Sequence, residues 1–144
     1  MKAYTGNGRP ELRVPSTTRT VRVVIAEDES LFIEAVEALL DLDERIEVVG
    51  RARDGLEALR LVATVRPDVI LMDLDMPRIN GIGATRRITA DHPLTQVVIV
   101  TASTEQEDVD RARDAGAAAY ITKDRVATDL AETLVEIALI EAAL

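Results

Sequence analysis

The sequence predicts a doubly wound α/β domain, a five-stranded parallel sheet with five helices packed on its two faces. Three observations predict it. Short apolar runs rich in β-branched residues alternate with helical patterns from Val21 to the end of the chain. The runs are apolar throughout rather than at every second position, so both faces of the sheet must be covered. The chain of 144 residues fills one domain of this kind and leaves little room for a second.

Residues 1–20 carry two Gly, two Pro and several Thr with no apolar period, and read as a flexible leader before a domain over 21–144. Val21–Ala26 is the first strand. Ser30 stands before a helical pattern with Phe32, Val36, Leu39 and Leu40 on one face and Glu34, Glu37 and Asp41 on another. Ile46–Gly50 is the second strand. Asp54-Gly55 turns the chain into a helix carrying Leu56, Leu59, Leu61 and Val62. Pro67 precedes the third strand, Asp68–Leu74. Asn80-Gly81 marks a loop before the helix Ile82–Ala90. Gln96–Thr101, Thr104–Ala115 and Ala117–Thr122 read as strand, helix and strand. Leu130–Leu144 is a last amphipathic helix, with Leu134, Ile137 and Leu144 spaced for one face.

Composition narrows the function. The net charge of -9 repels nucleic acid and anionic membranes, so the chain by itself is a poor DNA-binder. There is no Cys, hence no disulfide framework and no thiolate metal site. No stretch approaches the roughly 18 apolar residues of a membrane helix, and the N-terminus lacks a hydrophobic signal core. No contact with membrane and a cytoplasmic location are expected.

In open parallel sheets ligands bind beyond the carboxyl ends of the strands, at the switch in strand order. Read there, the chain offers Glu27-Asp28-Glu29 after strand one and Asp73-Leu74-Asp75-Met76-Pro77 at the end of strand three. Strand four ends in Thr101-Ala102-Ser103 and strand five near Lys123-Asp124. Each is ordinary alone, since an acid at a strand end more often caps a helix. Together they place acids, a hydroxyl and an ammonium on one rim. Two carboxylates about 5 Å apart repel by about 3 kcal/mol at an effective dielectric of about 20. Such a group of acids either raises a pKa sharply or binds a cation. All-oxygen ligands favour Mg²⁺, Mn²⁺ or Ca²⁺ over Zn²⁺. An Asp in that setting serves as a nucleophile toward phosphorus, with the metal and Lys123 neutralising charge and Thr101 donating a hydrogen bond.

The motifs VRVVIAEDE, DVILMDLDMPRINGIGA, VVIVTAS and AAAYITKD, in this order, resemble the receiver domain of two-component response regulators over residues 21–144. The spacing fits too, with 45 residues from Asp28 to Asp73 and 22 from Thr101 to Lys123. The resemblance implies a flavodoxin-like sheet of strand order 2-1-3-4-5. It implies that Asp73 accepts the phosphoryl group from a sensor histidine kinase, with Mg²⁺ as cofactor. Asp28 would be the direct metal ligand, Glu27 would act through water, and the Asp75 backbone carbonyl would complete the shell. Thr101 matches the switch hydroxyl, Lys123 the lysine that pairs with the acceptor and its phosphate, and Tyr120 the aromatic that swings inward. Pro77 and Gly81 match residues that shape the loop after the acceptor, and small Ala102 leaves room for access. Such a domain is a phosphoacceptor that catalyses its own transfer and slow dephosphorylation rather than an enzyme acting on other substrates.

Two positions depart from the commonest pattern: Glu27 replaces an Asp, and Asp75 adds an acid beside the site. The rival readings are a receiver-like binding module that is never phosphorylated and a haloacid-dehalogenase-type phosphatase, for which Asp73-x-Asp75 would be the nucleophile motif. In the latter the acidic pair lies downstream, whereas here it lies upstream. His92, before Pro93, reads as a surface residue. The run Glu105, Glu107, Asp108, Asp110, Arg111 and Arg113 reads as a solvated helix face, with a partner contact on phosphorylation as its functional alternative. The motifs look most like regulators with a C-terminal helix-turn-helix domain. DNA would then be met only through a domain outside this chain, and the apolar last helix is expected to lead into it. A homodimer is expected through the last helix or the face of the fourth helix, fifth strand and fifth helix.

Overall fold

The computed structural model describes residues 19–143, with side chains through residue 139. Residues 1–18 of the expected leader and Leu144 of the expected apolar face lie outside the described residues. Arg19 and Thr20 are tied to the domain: Arg19 Nη2 lies 2.8 Å from Asp68 Oδ1, and Thr20 Oγ1 donates to Glu47 at 3.1 Å.

The elements are β1 (Val21–Ala26), α1 (Ser30–Asp41), β2 (Ile46–Ala52), α2 (Gly55–Val65), β3 (Val69–Met72), α3 (Gly81–Asp91), β4 (Gln96–Thr101), α4 (Gln106–Asp114), β5 (Ala119–Thr122) and α5 (Val126–Ala143). The five strands are all parallel in the order β2-β1-β3-β4-β5. That is the predicted architecture and strand order. Alternate residues of each strand feed separate cores. Val24, Ala26, Ile70, Met72, Val97 and Ile99 pack with Ala58, Val62, Ile82, Ile88 and Ala112 of α2–α4. Val23, Ile25, Val69, Leu71, Val98 and Val100 pack with Ile33, Val36, Leu40, Leu130 and Leu134 of α1 and α5. The unbroken apolar strands follow from this double coverage, and each such side chain contributes about 1.5–3 kcal/mol of burial.

Several boundaries differ from the sequence reading. β2 runs on to Ala52 through a bulge, where Val23 pairs with Val48 but Val24 pairs with Gly50. β3 is shorter than residues 68–74, so Asp73 sits one step past the paired strand, its amide donating to Ala26 O at 3.1 Å. α4 begins at Gln106 rather than Thr104 because Ser103 Oγ accepts from the Glu105 amide and holds the entry extended. β5 begins at Ala119 rather than Ala117: Gly116 takes φ 105 and the Ala117 amide still closes the end of α4 on Ala112 O. α5 starts four residues before Leu130, behind a 3₁₀ turn over Lys123–Arg125, because Val126 lies one turn ahead of Leu130 on the same buried stripe. His92, expected at the surface, is half-buried at the end of α3. Among the described residues no helix is long and apolar enough to cross a membrane.

Candidate functional site

Register brings the predicted residues to one edge. Ala26 pairs with Met72, so Glu27 and Asp73 leave neighbouring strands side by side. Thr101 pairs with Thr122, which puts Lys123 one step beyond the end of the sheet. Glu27, Asp28 and Asp73 each offer a carboxylate oxygen, and these atoms all lie within 4.8 Å of one another. Asp28 is exposed, whereas Glu27 is 2% and Asp73 6% exposed.

Two buried carboxylates this close need a compensating charge. Lys123 supplies one. Its Nζ lies 3.0 Å from Glu27 Oε1, 3.5 Å from Glu29 Oε1 and 3.7 Å from Asp73 Oδ2. The ammonium also rests 4.4 Å from the centre of the Phe32 ring. Glu27 Oε2 accepts from the Glu29 amide at 3.0 Å, and Asp73 Oδ1 accepts a long bond from the Asp75 amide at 3.4 Å.

One ammonium does not offset the crowding. Burial raises the pKa of Glu27 against the opposing hydrogen bonds of Lys123 and the Glu29 amide, and the Asp73 charge pushes it further. Burial raises Asp73 as well, against the Lys123 charge and the Asp75 amide, with the Asp75 carboxylate adding to the rise. Burial would lower Lys123, but its bond to Glu27 and the charges of Asp73, Glu27 and Glu29 hold it above the ordinary value. With the three clustered acids and Lys123 all ionised, the net charge is -2, the sum of -3 and +1. Hard oxygen donors with excess negative charge suit a divalent cation such as Mg²⁺, so the residues present fit that ion.

Thr101 is fully buried, its Oγ1 accepting from the Ser103 amide at 3.4 Å. Tyr120 is half-buried and donates from its hydroxyl to Ser103 O at 3.0 Å. Burial raises its pKa, and the Asp108 and Asp75 charges add to this against the Ser103 bond. Ala102 is exposed. Asp75 is exposed beside the acceptor position. The loop after Asp73 is held by Gly81, whose amide donates to Leu74 O at 3.0 Å.

Three residues here carry more than the sequence reading assigned them. Glu29 shares Lys123 with Glu27 and Asp73, and its place in the Glu27-Asp28-Glu29 run was the available signal. Phe32 was read only as helix core, yet it also floors the ammonium. Asp108 was read as part of a solvated face, but it accepts from Ser103 Oγ at 2.5 Å. Within the helix Arg111 lies 3.6 Å from Asp108 and Arg113 3.2 Å from Asp110, contacts of small energetic weight.

Comparison with known proteins identifies the family. Residues 23–135 match the family model of the response regulator receiver domain. The chain is 38% identical over 113 residues to the transcriptional regulatory protein YhcZ of Bacillus subtilis, covering 78% of this chain and 53% of that one. It is 43% identical over 109 residues to the transcriptional regulatory protein PdtaR of Mycobacterium tuberculosis, covering 76% and 52%. The chain thus spans about half the length of the curated relatives it matches. Among solved structures it superposes on the signal receiver domain of the response regulator NarL of M. tuberculosis with a TM-score of 0.81 and 34% identity, covering 84% of this chain and 98% of that one. An α/β sheet of order 2-1-3-4-5 with acids and a lysine at its rim, together with a family match across most of its length, shows that this chain belongs to the response regulator receiver domain family.

Proposed function

We propose that this domain is a phosphoacceptor in two-component signalling, taking a phosphoryl group from a partner sensor histidine kinase onto Asp73. The observation that carries the reading is the convergence of Glu27, Asp28 and Asp73 within 4.8 Å, with Lys123 3.7 Å from Asp73. Asp28, Glu27 through water, Asp73 and the Asp75 carbonyl would hold Mg²⁺. When bound, the ion neutralises charge on the transferring group and on the carboxylates around it.

An Asp73 carboxylate oxygen forms the new bond to phosphorus as the bond to the donor's imidazole nitrogen breaks, and the imidazole departs with the electron pair. Lys123 already stands between Glu27 and Asp73, so a short shift of its flexible stem brings the ammonium to the arriving oxygens. The Thr101 hydroxyl donates to the phosphoryl group once the backbone at Ala102-Ser103 moves toward the site. That movement removes the carbonyl to which Tyr120 donates, and the ring turns inward. The chain thereby shifts between two populations, each favoured by its own contacts. The remodelled surface of α4, β5 and α5, or α5 alone, would serve dimer formation. The output would be transcriptional, delivered in the cytoplasm through a DNA-binding module joined to the receiver.

Incubation with acetyl phosphate and Mg²⁺, read by intact-protein mass spectrometry, tests the assignment. One phosphoryl group is expected on the wild type and none on Asp73→Asn. Undiminished labelling of the variant rejects Asp73 as acceptor, and no labelling of either points to a binding module that works unphosphorylated.

A further inference from the structure

The turn between β2 and α2 contributes no carboxylate to the cluster of Glu27, Asp28 and Asp73, yet it is fastened to both loops that carry the acids. On one side Arg53 Nη2 donates to Ser30 Oγ at 3.0 Å, and Ser30 opens α1 two residues after Asp28. On the other side Asp54 Oδ2 lies 3.3 Å from Arg78 Nε, and the Gly55 amide donates a long bond to Pro77 O at 3.4 Å. Gly55 also approaches the same loop very closely: a Cβ at this position would lie 1.9 Å from Ile79 O. No side chain fits there without moving the loop that follows Asp73. The turn itself is closed internally. Asp54 Oδ1 accepts from the Glu57 amide at 2.8 Å, and Glu57 Oε1 accepts from the Arg53 amide at 2.7 Å, a reciprocal cap on α2. Arg78, within the gripped segment, takes φ 72 without being glycine. A backbone of that kind persists where its surroundings over-determine it, and here Asp54 and Gly55 are those surroundings.

We infer that the Arg53-Asp54-Gly55 turn is a positioning device for the acid site, a tie that sets the spacing between the loop of Glu27–Glu29 and the loop that runs from Asp75 to Asn80. This rests on the reading of the cluster as a Mg²⁺ site. The ligands come from two loops at the ends of different strands, and neither loop alone fixes their separation. Sheet register positions Glu27 and Asp73 at their strand ends, but Asp28 and Asp75 lie beyond the last ladder bonds. The tie acts on those outlying residues. Arg53 and Ser30 are exposed, so their hydrogen bond adds little to folding stability, and its effect falls on geometry.

Calorimetric titration of Mg²⁺ into wild type, Arg53→Ala, Arg53→Lys and Gly55→Ala, paired with thermal melts in chelator, tests this. Arg53→Ala is expected to melt with the wild type yet bind Mg²⁺ several-fold more weakly. Gly55→Ala is expected to bind about tenfold or more weakly, as loss of groups that orient metal ligands commonly does. Arg53→Lys, which keeps a donor within reach of Ser30, is expected to recover part of the affinity. If Gly55→Ala fails to fold, Asp54→Asn takes its place, since Asn keeps the cap but loses the ion pair to Arg78, and weakened binding is again expected. Variants that bind as tightly as a binding-competent wild type overturn the inference alone. A wild type that takes up no Mg²⁺ overturns the metal reading and this inference together.

Discussion

Glu27 and Asp73 are carboxylates with almost no access to water, and burial is the first cause of the raised pKa of each. A raised carboxyl pKa means that the folded chain keeps protons that the unfolded chain releases. The stability each contributes is therefore fully present below the ordinary carboxylate range and is lost as pH rises through the raised folded values. The pKa of Lys123 is raised as well, but its contribution persists across that window and is lost only at far higher pH. Metal-free protein is accordingly expected to lose thermal stability as pH climbs out of the carboxylate range. Asp73→Asn, neutral throughout, is expected to flatten that slope; melts in chelator from mild acid to neutrality check it, and an unchanged slope counts against the buried-acid account. Lys123→Ala removes the ammonium from Glu27 and Asp73 together. Loading from acetyl phosphate is expected to slow on the order of a hundredfold, the scale of losing one preorganised charge-stabilising donor, as measured by the initial rate of phosphoryl uptake. At this scale the sequence was legible where residue type and strand end coincided, as for Glu27, Asp28, Asp73, Thr101 and Lys123. It was silent on Phe32 beneath the ammonium, because that contact depends on how α1 docks beside the end of β5, whereas the bond from Ser103 to Asp108 is local and depends on the extended entry to α4.

At the scale of elements, the loop between β3 and α3 is shaped by what its glycines lack. A Cβ on Gly81 would lie 2.2 Å from Asp73 O and 2.7 Å from Leu74 Cα. Gly81→Ala is therefore expected to destabilise the fold by about 1–3 kcal/mol, the usual range for overpacking, with urea unfolding as the measurement. It should also displace the start of α3, where Asn80 Oδ1 accepts from the Gly83 amide at 2.9 Å and caps the helix. A variant as stable as the wild type would show that the loop yields without strain. The Asn80-Gly81 pair was legible as a loop, and its cap follows from the same residues. Helix starts were less legible where polar residues separate the first apolar positions: α5 opens at Val126 and not at Leu130, since Val126 stands one turn ahead on the same buried stripe, across Thr128 and Asp129. The reverse error shortened β2, whose bulge beside Val49 interrupts the pattern although the strand continues to Ala52.

The whole molecule is a sheet whose two faces are sealed and whose carboxyl rim is left to chemistry. Its strand order came from the motif resemblance and not from periodicity, since apolar runs alone do not say which strands are neighbours. The order matters because it sets β1 beside β3, and thereby two acidic strand ends against each other. Repulsion among those acids, tolerable once a divalent ion joins them, is the physical basis of the proposed transfer. The most direct test follows phosphoryl uptake by the wild type from acetyl phosphate in Mg²⁺ and again in chelator, with Asp28→Asn alongside. Removing the ion is expected to slow uptake by on the order of a hundredfold or more, the loss of several kcal/mol of charge stabilisation, and Asp28→Asn in Mg²⁺ should behave as the chelated wild type does. Uptake at the same rate with and without the ion would contradict the account.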